Sequence, residues 1–143
     1  MAFRTISLSR EEAALLNPLQ LAYLGDTVWE TMVRSELIEH RMNVHHMHQE
    51  CVRRVNAGAQ ARALEVIQSA LSGEEQAIVR RGRNAHAHHP APRRQGPESY
   101  ASATGFEALI GFLYATGQEE RLRQVYEMIR KEYGTIPGRK EEH

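Results

Sequence analysis

NPLQLAYLGDTVWETMV, residues 17 to 33, is the stretch whose reading decides the fold. Asn17 ahead of Pro18 is an N-cap followed by a proline in the first helical position, so a helix is expected from about Pro18 to Glu39. With side chains turned by about 100° per residue, Leu19, Ala22, Tyr23, Trp29, Glu30, Val33 and Leu37 lie on the side marked by Asp26. Leu21, Leu24, Val28 and Met32 cover much of the opposite side. A helix apolar on two sides is expected in the middle of a domain. Asp26 and Glu30, four residues apart, then stack one turn above the other on one of those faces. Ionised carboxylates in such a segment are costly unless a cation compensates them, and the first question is which cation.

A second stretch poses the same question. In SATGFEALIGFLYA, residues 102 to 115, Glu107 is the only charged residue, and it shares its face with Ala103, Thr104, Ile110, Gly111 and Tyr114. Gly105 and Gly111 lower helix propensity, which points to another backbone approaching closely. Two apolar helices, each interrupted by a carboxylate, can converge on one hard cation, and a few carboxylates plus water suffice for Mg²⁺. Pairing of these acids with arginine or lysine, or use of one to cap a helix end, is the alternative that the residues leave open.

The remaining sequence also reads as helix. SREE at 9 to 12 is a capping-box pattern opening a short first helix. A third helical region is expected over roughly 44 to 71, where Gly58 can bend it or admit close packing, and Ser72 caps the helix that starts GEEQAIVRR. From Gly82 to Gly96 the periodicity stops, and Pro90, Pro92 and Pro97 exclude a continuous helix, so a mobile basic loop is expected at about 82–98. Helix resumes near Ser99 and stops at Gly117; a last helix ends at Gly134, leaving a flexible polar tail over 135–143. No period-two stretch reads as a strand. The expected fold class is all-α, as one domain over 1–143.

Composition sets the outer limits. At 143 residues, 41% hydrophobic and 25% charged, the chain has the make-up of a globular domain. The first sixteen residues hold no continuous apolar run of a secretory signal, and no run approaches the ~20 residues of a membrane span. Cys51 is the single cysteine, so no internal disulfide can form, and a cytoplasmic location is expected. Although the formal net charge is zero, Arg80 to Arg94 contains five arginines and three histidines without one acid. That segment is a candidate phosphate contact, or else a solvated loop that aids solubility. VHHMHQEC offers His45, His46, His48 and Cys51, yet its spacing matches no closed zinc site and no second Cys/His pair stands nearby.

At this point the residues resemble a known family. LAYLGDTVWE and ATGFEALIGFLY are similar to the two motifs of the ribonuclease III catalytic domain, and more closely to those of Mini-ribonuclease III, the short form without a double-stranded RNA-binding domain. Its pattern L-A-Y-x-G-D is met by residues 21 to 26, R-G-R-N-A by 81 to 85, and S-T-x-F-E-A-L-x-G within 102 to 111, with Ala103 replacing one small residue. The resemblance covers most of the chain from about Pro18 to Gly134 and implies the helical ribonuclease III endonuclease fold.

It further implies that Asp26 and Glu107 are catalytic acids that bind a metal, Mg²⁺ with Mn²⁺ as a substitute, and that Tyr23 contacts the partner subunit of a homodimer. Ala22 and Thr104 stand where full-length ribonuclease III carries acids, a departure shared with Mini-ribonuclease III, and Glu30 becomes a candidate replacement ligand. The basic segment falls where the family contacts double-stranded RNA. Arg80, Arg81, Arg83, Arg93 and Arg94 can fork onto phosphates and Asn84 can bond ribose or backbone. Without interleaved aromatics, a duplex suits this segment better than a single strand. The implied activity is endonucleolytic cleavage of double-stranded RNA to 5′-phosphate and 3′-hydroxyl ends, in maturation of precursor 23S ribosomal RNA, with a ribosomal protein on the substrate as a candidate further partner. The missing acids keep a second reading open, a non-catalytic helical RNA- or ribosome-binding module. A DNA-binding regulator fares worse, because no basic recognition helix appears.

Overall fold

The computed structural model describes residues 4–86 and 96–134, and among them there is no β-strand. The elements are α1 (Arg10–Ala14), α2 (Pro18–Glu39), α3 (Val44–Val55), α4 (Ala57–Ile67), α5 (Gly73–His86), α6 (Gly96–Ala115) and α7 (Glu119–Arg130), with 3-10 turns at Gln68–Ala70 and Lys131–Tyr133. All-α is therefore the fold class.

Local chemistry sets most of the helix starts. Ser9 and Glu12 close a capping box on α1, the Ser9 hydroxyl accepting from the Glu12 N–H at 3.0 Å and Glu12 returning the bond to the Ser9 N–H. Asn17 accepts from the Leu19 N–H at 2.9 Å ahead of Pro18, and Ser72 and Glu75 repeat the reciprocal bond at α5. Each cap satisfies N–H groups that the first turn leaves without helical partners.

Three boundaries differ from expectation. The region over 44 to 71 is two helices, and the break is at Asn56 rather than Gly58. The Asn56 side chain accepts from the Ala59 N–H at 2.9 Å and donates to the Val52 carbonyl at 3.0 Å, so one residue ends α3 and begins α4. α5 runs through Gly82 to His86, and α6 begins at Gly96 rather than near Ser99, so the segment expected as a loop at 82–98 is helical at both ends. Its centre, with Arg93 and Arg94, and the tail from 135 on lie outside the described residues. Gly82 remains in the helix because the lost side chain is what packing there requires, as shown below.

The central helix is α6. Phe106, Ala108, Leu109, Ile110, Phe112, Leu113 and Ala115 are all fully buried, and α2, α4 and α5 pack around it. Each large apolar side chain so buried contributes about 1.5–3 kcal/mol. The expectation that α2 occupies the middle is corrected: one face of α2 is buried through Leu21, Val28, Trp29, Val33 and Leu37, while Tyr23, Asp26, Thr27, Thr31 and Arg34 face water. Trp29 joins the two helices, its ring edge-on to Phe106 with centroids 4.9 Å apart. α7 is held to α2 and α3 by a buried ionic cluster that the sequence pattern did not announce. Arg54, only 1% exposed, donates to Glu50 and Glu36 at 3.0 Å each and stacks on the Tyr133 ring, while the Tyr126 hydroxyl also donates to Glu36.

Candidate active site

Two glycines bring the acid-bearing helices into backbone contact. A Cβ on Gly25 would lie 1.8 Å from the carbonyl oxygen of Glu107, and one on Gly111 would lie 1.9 Å from the carbonyl oxygen of Leu21. Only glycine lets α2 and α6 cross so closely. Asp26 follows the first of these glycines and Glu107 is one turn before the second, so the crossing itself places the two carboxyl groups together. A second glycine contact, with a Gly82 Cβ only 2.9 Å from the Gly105 Cα, sets α5 against the other side of α6.

The Asp26 and Glu107 side chains are hydrogen-bonded. Burial first, then that hydrogen bond and the Asp26 charge, push the Glu107 carboxyl up from 4.5 to about 9. Asp26 itself is exposed. It is thus a surface acid backed by a half-buried one, not the buried acid that helix periodicity suggested, and a large substrate can reach it from solvent. Among the described residues no arginine or lysine pairs with either carboxylate. The donor set fits a hard divalent cation: two carboxylates in contact, one of which keeps its proton unless positive charge arrives, with room on the solvent side for water ligands.

Glu30, the third candidate ligand, is not brought into a group with these two. Its Oε2 sits 2.8 Å from an Arg34 guanidinium nitrogen, and no cluster of three His, Cys, Asp or Glu side chains able to hold a metal occurs among the described residues. Ala22 is buried, and the Thr104 hydroxyl donates to the Tyr100 carbonyl of its own helix at 2.9 Å. Neither position adds charge. His45, His46 and His48 are exposed on α3, with His46 near the Asn43 amide.

The candidate RNA contacts divide by geometry. Arg80 and Asn84 are exposed on α5. Arg83, also exposed, donates to the Ser102 hydroxyl at 3.1 Å and so leans over α6. Arg81 turns the other way and donates to the carbonyls of Ala14 and of Leu16, the latter at 3.1 Å, at the end of α1. Tyr23, 85% exposed, lies one turn before Asp26 on the same face of α2, and Leu15 is equally exposed on the turn before it.

Residues 19–118 match the model of the Ribonuclease III domain. The chain belongs to the ribonuclease III family. That family comprises endoribonucleases of double-stranded RNA. Within it the chain is similar to a Mini-ribonuclease 3 from Symbiobacterium thermophilum, 50% identical over 111 residues and covering 77% of this chain and 85% of that one. It is also similar to a Mini-ribonuclease 3 from a Thermoanaerobacter species, 40% identical over 122 residues, 85% of each chain. A crystal structure of a Fusobacterium nucleatum protein superposes with a TM-score of 0.77 at 28% identity, over 83% of this chain and 95% of that one. Membership in the ribonuclease III family, expected from three short motifs, thus extends across the domain. No described helix is long and apolar enough to cross a membrane.

Proposed function

We propose that the chain is a Mg²⁺-dependent, homodimeric, cytoplasmic endoribonuclease that cuts duplex RNA, with Mn²⁺ able to substitute, and that its natural substrate is precursor 23S ribosomal RNA, presented with or without a ribosomal protein. The observation that carries this reading is the Asp26–Glu107 pair: two carboxyl groups forced together by a glycine crossing, exposed to solvent on one side and without a cationic side chain among the described residues.

Asp26 and Glu107 hold the cation, and Glu30 is available as a further oxygen donor. Because Glu107 keeps its proton near neutrality in the metal-free protein, loading the site releases a proton from its carboxyl. When bound, the cation supplies positive charge beside a phosphodiester and acidifies water for attack at phosphorus, which accords with 5′-phosphate and 3′-hydroxyl products. The residues of the chain do the rest. Arg80, Arg83 and Asn84, continued by Arg93 and Arg94, bind the duplex through phosphate and ribose, which gives shape recognition rather than sequence recognition. Arg81 braces α1 against α5, and in this reading it serves the RNA surface by holding α5 in place. Tyr23 and Leu15 supply the apolar surface through which a second copy docks. Two copies set two acid pairs on one duplex, one for each strand.

The test is cleavage of a duplex RNA by Asp26→Asn and Glu107→Gln variants in Mg²⁺. Both keep shape and remove charge, so each should abolish cleavage while leaving folding and RNA binding intact. Retained cleavage with only a shifted melting temperature would make the acids structural and leave a non-catalytic RNA-binding module.

A further inference from the structure

Glu30 stands between two competitors on one helix face. Asp26 is four residues before it and Arg34 four residues after, so its Cβ is about 5–6 Å from either. The structure finds it turned to Arg34, with Glu30 Oε2 at 2.8 Å from the guanidinium and the two side chains 37% and 62% exposed. Arg34 lies where α2 meets α3. It lines a cavity of about 200 Å³ at the α2–α3 seam with Leu37, Ile38, Val44, Met47, His48 and the buried Cys51. The pair therefore sits beside the α2–α3 seam, and Glu30 is the member with an acid, Asp26, one turn away on its other side.

We propose that Arg34 is a positioning residue that competes with the metal site for Glu30, withholding this carboxylate until a cation draws it toward Asp26 and Glu107. The inference rests on the reading of those two acids as the metal site. Three features of the site support it. Ala22 and Thr104 add no acid, so Glu30 is the one remaining carboxylate within a turn of Asp26 on α2. Glu36, the next acid along the helix, is committed to Arg54 and Tyr126. The pair that holds Glu30 is an exposed i,i+4 ion pair, the weakest kind, which a dication flanked by two carboxylates can outcompete. Because one carboxylate is shared, the coupling is reciprocal: the Glu30–Arg34 pair weakens cation binding by the same factor by which a bound cation weakens the pair.

The experiment is titration of the RNA-free protein with Mn²⁺, reading free Mn²⁺ by electron paramagnetic resonance. Arg34→Ala should tighten binding about two- to threefold, the factor set by loss of an exposed i,i+4 pair. Arg34→Lys, which keeps a cation in reach of Glu30, should stay near wild type. In a Glu30→Gln background, Arg34→Ala should change nothing, because no carboxylate remains to be released. Equal tightening with and without Glu30 would reduce Arg34 to a distant repelling charge and overturn the proposal, as would no tightening in the wild-type background. Asp26→Asn and Glu107→Gln serve as the separate control. If neither weakens Mn²⁺ binding, the metal site itself is misplaced and both readings fall; if both do while Arg34→Ala has no effect, only the competition fails.

Discussion

In the absence of divalent cations, raising the pH should weaken this fold through Glu107. Its carboxyl is pushed from 4.5 up to about 9 in the native protein by burial and by Asp26, whereas in the unfolded chain it titrates in the ordinary carboxylate range. Below that range both states hold the proton and the group has no effect. Between 4.5 and about 9 only the native state holds it, so the native state is favoured less and less as pH rises, by at most about 1.4 kcal/mol per pH unit. Across the whole window the limit is about 6 kcal/mol. Because Asp26 opens to water, which screens the pair, a loss of about 2–4 kcal/mol is expected. Urea unfolding in EDTA at about pH 5 and about pH 8.5 measures it, with Glu107→Gln as the reference because the difference between the two proteins cancels the titrating groups outside the Asp26–Glu107 pair. Wild type should lose those few kcal/mol relative to the variant as pH rises, and added Mg²⁺ should restore them by compensating two ionised carboxylates. Parallel pH profiles in EDTA would refute the reasoning, since the two acids would then be either apart or already compensated.

Gly111→Ala should destabilise by about 2 kcal/mol and abolish cleavage, because its methyl meets the Leu21 carbonyl at 1.9 Å and the helices must part; overpacking of this kind outweighs the ~1 kcal/mol of helix propensity gained. Thermal unfolding and duplex cleavage read the two effects, and a variant as active as wild type would mean that the crossing does not set the acids. Arg81→Ala should cost about 1.5–3 kcal/mol by freeing the carbonyls that it holds at the end of α1, with the salt dependence of RNA binding unchanged. Alanine at Arg80 and Arg83, alone or with Arg93 and Arg94, should instead lower the slope of log affinity against log salt by a little under ~1 per contact while catalysis at saturating RNA survives. The reverse pattern would exchange these roles. Sedimentation at micromolar protein should show a dimer, and Tyr23→Ala should shift it toward monomer; a 16.3 kDa species alone would rule out two sites across one duplex.

Glu107 stood out in the sequence because it is the one charge between Ser99 and Thr116, and Asp26 because, with Glu30, it interrupts the apolar run of residues 18 to 33. Gly105 and Gly111 could be read as points of close approach because glycine in a helix is a cost that packing must offset. Arg34 and Arg54 carried no such mark: an arginine on a helix is ordinary, and only the neighbour that it meets, Glu30 or the buried Glu50 and Glu36, gives it a role. Arg81 shows the limit of a motif. It stands in the same short basic run as Arg80 and Arg83, but one step along a helix turns a side chain by about 100°, and that step carried it to α1 while its neighbours faced water or α6.

By itself the sequence determined the local structure: Ser9, Asn17 and Ser72 start their helices through bonds that reach no more than three residues, and Gly117 and Gly134 end theirs by taking positive φ. Only the tertiary structure decided which of two apolar helices lies at the centre. α2 and α6 are both rich in core residues, and periodicity cannot rank them, because burial depends on how many neighbours can surround a helix. α6 carries small residues on opposite sides, Gly105 toward α5 and Gly111 toward α2, so it can be enclosed by both; α2 has a single such approach, at Gly25. That difference in packing leaves the other face of α2 in water, and with it Tyr23, Asp26 and Arg34.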